Sequence, residues 1–430
     1  MIDSHGRPIE DHFMTQIDEG WGSGPSARYD EIAARFRSIF EQIAQSAIER
    51  DQERRLPFKE VEWLREAGFG GLRIPKAYGG SELTLPELFA LLIELSAADP
   101  NITNIFRSHQ GFTEDLLNAP RDLWRDEWLS RLGGGEMVGS GFSELAGAKV
   151  GDYATTIVPD GGGYRLNGEK FYTTGSIYAD WINLGAVDGS GEPIAALVPT
   201  SAAGVEILDD WDGFGQALSG SGTARFKNVR LENFHIKPNS ARFPYTTAFF
   251  QLVHLASLAG IGRAAAAELS RHVGARARIY PRGNGAASAD DPQVLEVVGR
   301  VRGPAYAAGA IVLNVAAALQ RSYDANLAGI DPDETNIHLL AEIELSQSVT
   351  VISKLILEAT TVLFDALGAS AAKRATALDR HWRNARTITS HNPRIYHDRV
   401  VGEFAVSGKK PVAVGYRKII TPFDTTSELA

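Results

Sequence analysis

The residues best suited to proton chemistry lie in one segment near the C-terminus, residues 378–393, which reads Leu-Asp-Arg-His-Trp-Arg-Asn-Ala-Arg-Thr-Ile-Thr-Ser-His-Asn-Pro. It contains three arginines and two histidines, His381 and His391. Histidine is the side chain that holds or donates a proton near neutral pH. The adjacent Asn392 has a carboxamide, which cannot take a proton from carbon. The segment therefore indicates chemistry in which His391 manages a proton.

His391 has two alternative interpretations. It could bind a metal together with His397, but no carboxylate has ligand spacing to both histidines and the His-Glu-x-x-His motif is absent. It could also be a structural histidine with a satisfied ring. His109, in the N-terminal part of the chain, could line the same pocket from the other side, although taken alone it is typical of a structural residue.

The composition limits the class of protein. The chain has 430 residues, 44% of them hydrophobic and 22% charged, as in soluble globular proteins of two or three domains. A net charge of -10 argues against nucleic-acid and anionic-membrane partners. The absence of cysteine excludes disulfides, thiolate nucleophiles and zinc–cysteine or iron–sulfur sites. No signal peptide is evident, and the apolar runs are interrupted by polar residues, so we expect buried helices and a cytoplasmic protein.

Hydrophobic periodicity divides the chain into three domains between an N-terminal arm and a C-terminal tail. The predicted fold is mainly α with a central β domain. The boundaries are an arm over 1–25, a helical domain over 26–135, a small antiparallel β domain over 136–238, a four-helix bundle over 239–407 and a tail over 408–430.

More detailed predictions concern the last two domains. Asn167-Gly168, between two strand-like runs, predicts a hairpin turn. Residues 181–187 and 194–199 predict a second strand pair, and 205–208 and 223–231 predict further strands. The bundle helices are predicted over 246–280, 292–328, 336–367 and 371–388. Gly260-Ile261-Gly262 lies inside one of these helices without a preceding strand, so it is not a dinucleotide fingerprint.

Several motifs, taken in order, resemble those of the acyl-CoA dehydrogenase superfamily. They are Ile74-Pro75-Lys76-Ala77-Tyr78-Gly79-Gly80-Ser81, Phe142-Ser143-Glu144, Leu166-Asn167-Gly168-Glu169-Lys170 with Phe171-Tyr172-Thr173-Thr174-Gly175, and Arg383-Asn384-Ala385-Arg386. In many of those enzymes a catalytic glutamate follows the last motif, and the matching position here is Asn392.

The segments around Gly368 and 378–393 resemble more closely the flavin-dependent monooxygenases of this fold, the group of dibenzothiophene monooxygenase and the sulfur-acquisition oxygenases. His391 matches a histidine of that group. Many members have a second histidine three residues earlier, where this chain has Ile388.

The resemblance implies a flavin site. Tyr172 would stack on the flavin ring and Thr174 would meet its N5 edge, whereas Arg278 would meet the flavin phosphate of a neighbouring subunit. The other implied contacts are Ser143, His109 and His391 on the catalytic side and Thr173, Ser176, Trp211, Ser221, Gly368, Ala369 and Asn384 on the cofactor side. Each residue alone fits an ordinary strand, turn or helix end equally well.

The resemblance also implies a reaction. A separate NAD(P)H-dependent flavin reductase would supply reduced FMN, with FAD the less favoured flavin. O2 would add at the flavin C4a carbon, and the resulting (hydro)peroxide would oxygenate a small apolar organosulfur or amine substrate in a homotetramer. The alternative is an acyl-CoA dehydrogenase that desaturates an acyl thioester, with Glu268 as a candidate base. A non-catalytic flavin-binding protein is the third possibility.

Overall fold

A computed structural model describes residues 19–145, 153–238, 242–331 and 335–411. Most of the predicted arm, 1–25, and of the predicted tail, 408–430, therefore lies outside the described residues. The described end of the arm is anchored rather than loose. The Trp21 ring packs under the guanidinium groups of Arg302 and Arg263, whose carbons lie 4.3 Å and 5.0 Å from the ring centroid.

The N-terminal domain is helical, as predicted. Its helices are α1 (Tyr29–Gln45), α2 (Ala47–Glu53), α3 (Phe58–Glu66), α4 (Leu85–Ala98), α5 (Pro100–Asn118) and α6 (Leu123–Gly133). Local signals fix several of the helix starts: Thr84 and Glu87 form a capping box at α4, and Asp99 caps α5 just before Pro100. The helices α2 and α6 were not predicted from the sequence.

The central domain is a seven-stranded sheet. Its strands are β1 (Val138–Gly141), β2 (Thr156–Asp160), β3 (Gly163–Lys170), β4 (Trp181–Val187), β5 (Pro193–Pro199), β6 (Val205–Ile207) and β7 (Ala224–Leu231). The pairs β4–β5 and β6–β7 are antiparallel, which agrees with the predicted strand positions. Most strand pairs are antiparallel, as predicted, but β1 and β2 each pair with β4 in parallel.

The predicted hairpin turn at Asn167-Gly168 is wrong. Both residues lie inside β3, where the pairing with β7 shifts register between Leu166 and Gly168. Gly168 has a φ of +147°, which is typical of a glycine at a β-bulge. The actual turn is at Gly161-Gly162, where both residues have positive φ, between β2 and β3.

Among its described residues, the C-terminal domain has five α-helices rather than the predicted four. They are α7 (Thr246–Gly274), α8 (Pro292–Leu327), α9 (Ile337–Val362), α10 (Asp379–Ser390) and α11 (Ile395–Ser407). The prediction for α8 agrees within one residue. α7 ends before the predicted 280, and most of the predicted first half of the last helix forms 3-10 turns between Leu363 and Thr376. The helix α11 was missed.

Helix α7 is the central element of the fold. It packs against α4 and α5 of the N-terminal domain and against α8, α9 and α10 of the bundle. Most of its residues are buried, which explains its nearly uniform apolar sequence. By length and composition alone, α7 and α8 could each cross a membrane, but 83% of the apolar window of α7 is buried inside the protein.

Candidate functional site

Helix α10 presents one stripe of residues toward the interior. Asn384, Ile388 and His391 follow one another at spacings of four and three residues, which places them on one helical face. Asn384 and His391 are therefore about 10 Å apart along the helix axis. Asn384 and Ile388 are buried, whereas His391, at the end of the helix, is solvent-accessible.

The ring of His391 lies against a second histidine from another helix. The centroids of His391 and His254 are 4.4 Å apart, and the rings are inclined by 40°. His254 belongs to α7 and is only 2% exposed, so it lies behind His391 as seen from solvent. The Nε2 atom of His254 has no hydrogen-bond partner among the described residues. The sequence analysis missed His254, because no local motif surrounds it.

Helix α5 forms another wall of this site. Arg107 donates from Nε to the Phe250 carbonyl oxygen at 3.1 Å and lies over the Phe250 ring. Phe250 in turn packs on Gly111, where a Cβ would lie 2.2 Å from the ring. This close contact requires glycine and brings α5 next to the His254 face of α7.

The surroundings keep both imidazoles neutral. Desolvation, followed by the positive charge of Arg107, lowers the pKa of His391 and lowers that of buried His254 well below its usual value. At neutral pH His391 is therefore neutral and can accept a hydrogen bond through its lone-pair nitrogen.

Asn392 occupies the dehydrogenase glutamate position and links His391 to α7. Its Nδ2 donates to Oε1 of Gln251 at 2.8 Å, which leaves its Oδ1 as an acceptor. The Nδ1 of His391 lies 3.3 Å from that oxygen. Gln251 and His254 are three residues apart and share one face of α7. Gln251 was also absent from the sequence-based set.

Glu268, the alternative base, is held in a buried ion pair. Its carboxylate accepts from both terminal nitrogens of Arg380, and one of these contacts measures 3.0 Å. The Nε2 of His381 lies 3.2 Å away. Burial would raise the pKa of Glu268, but Arg380 and His381 outweigh it and hold that pKa well below its usual value. Glu268 is thus an ionised structural group and not a base poised near neutral pH.

A loop of the β domain, residues 214–222, is tied to α10. Oδ1 of Asn384 accepts from the backbone N–H of Gln216 at 2.7 Å and from its side-chain amide at 3.2 Å. Asn101 accepts from the N–H of Leu218 at 3.2 Å, and Tyr178 donates to the Leu218 carbonyl oxygen at 2.7 Å. Asn384 therefore holds this loop beside the helical face that ends in His391.

The predicted hydroxyl residues converge on the same loop, but their environments differ. Oγ1 of Thr174 and Oγ of Ser221 are 2.7 Å apart, and Ser221 is half-buried while Thr174 keeps 9% of its surface exposed. Thr173 and Ser176 are fully buried, and their hydroxyls donate to backbone oxygens of Gly222 and Ser140. Only the first pair is placed to meet a ligand.

Exposed aromatic rings flank these hydroxyls. Tyr172 is 50% exposed, has a φ of +54° and meets the Trp211 ring edge-to-face at 6.0 Å. Ser143 is exposed and pairs with Phe171, the residue before Tyr172, through its backbone. A flat aromatic ligand with polar ring edges fits this surface, because Tyr172 offers a face while Thr174 and Ser221 offer hydrogen bonds.

The residues implied for phosphate binding lie together at one end of the bundle. Arg278 and Ala369 are exposed, and Gly368 has a φ of +68°. The two segments are joined, since Arg276 donates to the Ala366 carbonyl oxygen at 2.9 Å. This contact brings the two segments together.

The structure does not support a catalytic role for His109. The residue is fully buried, its Nε2 contacts the Gly70 carbonyl oxygen at 2.9 Å, and its Nδ1 accepts from the Val138 N–H at 3.3 Å. Both ring nitrogens are thus used by the backbone, and burial lowers the pKa of His109 to about 4. Its role is to join α5 to β1.

Within the described ranges, no three histidine, aspartate or glutamate side chains form a group that could hold a metal ion. The pair His254–His391 is therefore not supplemented by a third ligand of those types. Organic cofactor chemistry fits the site better, since hydroxyls, amides and aromatic faces dominate it.

Family models match three successive parts of the chain. They are described as the acyl-CoA dehydrogenase N-terminal domain over 26–136, the middle domain over 142–229 and the C-terminal domain over 252–393. The chain belongs to the acyl-CoA dehydrogenase family. The structure has its helical domain, β domain and bundle in the same order as the three matched family models.

Curated relatives of this acyl-CoA dehydrogenase family member include two monooxygenases. The probable FMNH2-dependent monooxygenase SfnC of Pseudomonas putida is 27% identical over 390 residues, 88% of this chain and 96% of that protein. The dibenzothiophene monooxygenase of Mycolicibacterium goodii is 25% identical and covers 93% of this chain and 99% of its own.

Solved structures agree with these relatives. The methanesulfinate monooxygenase MsuC of Pseudomonas fluorescens superposes with a TM-score of 0.81 at 25% identity, covering 89% of this chain and 99% of that one. TdsC of Paenibacillus sp. A11-2, in complex with FMN and indole, gives a TM-score of 0.80 at 25% identity, covering 90% and 98%.

Proposed function

We propose that this protein is the oxygenase component of a two-component monooxygenase. It uses reduced FMN, supplied by a separate flavin reductase, and O2 to oxygenate a small apolar organosulfur or amine compound. One observation supports this above all others: an accessible, neutral His391 stands beside Asn392 at the position where a dehydrogenase needs its glutamate, while Glu268 is locked to Arg380. The names of the relatives support the same reaction class.

Separate residues would bind the flavin, contact the substrate and handle the proton. Bound reduced FMN would supply the electrons that activate O2. Tyr172 would stack on the flavin ring, and Thr174 with Ser221 would hydrogen-bond its edge. His391 would hydrogen-bond the reacting groups and pass a proton to or from them. Phe250, packed beneath Arg107, gives the neighbouring wall the apolar character that suits an apolar substrate.

The assembly is proposed to be a cytoplasmic homotetramer. Exposed Arg278 would then meet the flavin phosphate of a neighbouring subunit. The exposed apolar side chains of α11, Ile395, Tyr396 and Val406, are surfaces that a neighbouring copy could cover. Light scattering coupled to gel filtration would test the tetramer.

The test of function uses purified protein, FMN, a flavin reductase with NADH and isotopically labelled O2. Dibenzothiophene, indole and methanesulfinate serve as candidate substrates. We expect label in a product, and His391→Gln should lower product formation by about 10²-fold or more while reduced FMN still binds. Acyl-CoA that reduces bound FAD without a reductase, in the absence of O2, would overturn the proposal in favour of dehydrogenation.

A further inference from the structure

The dehydrogenase glutamate position holds Asn392, and the contacts of this residue suggest a task for it. Asn392 bridges the C-terminal end of α10 and helix α7. On one side its amide nitrogen donates to Gln251 at 2.8 Å, and on the other its oxygen lies 3.3 Å from Nδ1 of His391. Gln251 is itself 8% exposed, so the bridge ends on a buried residue.

The direction of the first hydrogen bond determines the second. The side-chain oxygen of Gln251 can only accept, so the amide nitrogen of Asn392 must face it. The oxygen of Asn392 then faces His391 and can only accept as well. A neutral imidazole has one N–H and one lone pair, so the nitrogen facing that oxygen must be the protonated one.

We propose that Gln251 and Asn392 are positioning residues that fix His391 in the Nδ1–H tautomer, so that Nε2 is the nitrogen offered to a bound ligand. His254 completes the arrangement, because its ring lies 4.4 Å from the His391 ring and restricts the plane that ring can adopt. The site thus contains a second histidine on α7, although position 388 of α10 holds isoleucine.

The charged group that lowers the pKa of both histidines is Arg107 of α5, which therefore opposes their protonation. From α7 the pair is faced by Gln251, which is uncharged, and from α10 by Asn392, also uncharged. The set contains no carboxylate among the groups that shift either pKa. The hydrogen bond to Asn392 raises the pKa of His391, but desolvation and Arg107 outweigh it, so the ring stays neutral. An aspartate at position 392 would add a negative charge and raise that pKa further.

The inference concerns the same site as the proposed function and bears on it through His391, but it is tested without flavin. Nitrogen-15 NMR of the histidine rings in flavin-free full-length protein distinguishes N–H nitrogens from lone-pair nitrogens. In the native protein at pH 7.5, His391 should show Nδ1 protonated and Nε2 unprotonated. In Asn392→Leu and in Gln251→Leu, signals of the other tautomer should appear.

Two conservative variants should keep the native tautomer of His391 and serve as controls. Gln251→Glu keeps an acceptor for the amide of Asn392 and should keep the native tautomer. Asn392→Asp keeps the acceptor for Nδ1–H but adds a negative charge, so it should keep the tautomer and raise the pKa of His391 by about one unit or more. His397, whose Nδ1 lies 3.2 Å from Oγ of Ser346, is an internal control in every spectrum, because a folded variant leaves its signals unchanged.

The inference is wrong if His391 in the native protein carries its proton on Nε2, or if Asn392→Leu leaves the tautomer unchanged while the His397 signals are native. These outcomes do not depend on oxygen chemistry. A fixed Nδ1–H tautomer in a protein that transfers no oxygen would contradict the proposed function alone.

Discussion

The buried ion pair between Glu268 and Arg380 allows a quantitative test of how the bundle is used. The Glu268 side chain is 2% exposed and that of Arg380 is 10% exposed. Glu268→Leu removes the carboxylate and leaves the guanidinium buried without its partner. Loss of one member of a buried pair costs about 3–5 kcal/mol, so the free energy of unfolding should fall by about that amount.

A double-mutant cycle measures the same pair from both sides. Arg380→Leu should be destabilising on a similar scale, whereas Glu268→Leu combined with Arg380→Leu should be less destabilised than the sum of the two single variants, because no charge remains unpaired. Urea unfolding followed by circular dichroism, at fixed protein concentration, provides the comparison. A surface ion pair, Arg225 with Glu169, serves as the matched control, and its removal should leave the free energy of unfolding nearly unchanged.

The pH dependence gives an independent reading of the pair. The pKa of Glu268 is lower in the folded protein than its usual 4.5, so its contribution is present above that pH and is lost as the pH falls below it. Native protein should therefore lose stability below pH 4.5 more steeply than Glu268→Leu does. The reasoning fails if Glu268→Leu unfolds like the native protein at pH 7, or if Glu268→Gln preserves stability while it abolishes oxidation of an acyl-CoA.

Three further predictions follow from other contacts. Because burial lowers the pKa of His109 to about 4, acidification from pH 6.5 to 4 should remove about 3 kcal/mol of stability through this residue, and His109→Gln should show a flatter pH profile in urea unfolding. Asn384→Leu leaves the N–H of Gln216 without its acceptor, at a cost of about 1–3 kcal/mol. Reduced-FMN binding, measured by anaerobic fluorescence titration, should therefore weaken by about 5- to 150-fold. Unchanged affinity would show that loop 214–222 does not support the flavin site. Tyr172→Ala should weaken the same binding by about 2- to 12-fold, and Tyr172→Phe should restore it, because the ring face and not the hydroxyl makes the contact.

Much of the fold followed from local patterns. Helix α8, predicted over 292–328, was placed within one residue, because hydrophobic periodicity is a local feature of the chain. The mistaken turn at Asn167-Gly168 has a physical cause: Asn-Gly favours positive φ in a turn and in a bulge alike. Only pairing with β7 selects the bulge. Similarly, the parallel pairing of β1 with β4 depends on contacts between distant parts of the chain.

For the site, the sequence by itself determined that His391 and Asn392 stand together where a dehydrogenase would have glutamate, since adjacent residues need no tertiary structure to meet. It also determined the motif that places Asn384 two turns before His391. Only the tertiary structure decided that His254 and Gln251 reach them from α7, and that Arg380 holds Glu268 as an ionised structural group. Those contacts depend on how α7 and α10 are rotated against each other, which is set by side-chain packing over the whole bundle and leaves no local pattern in the chain.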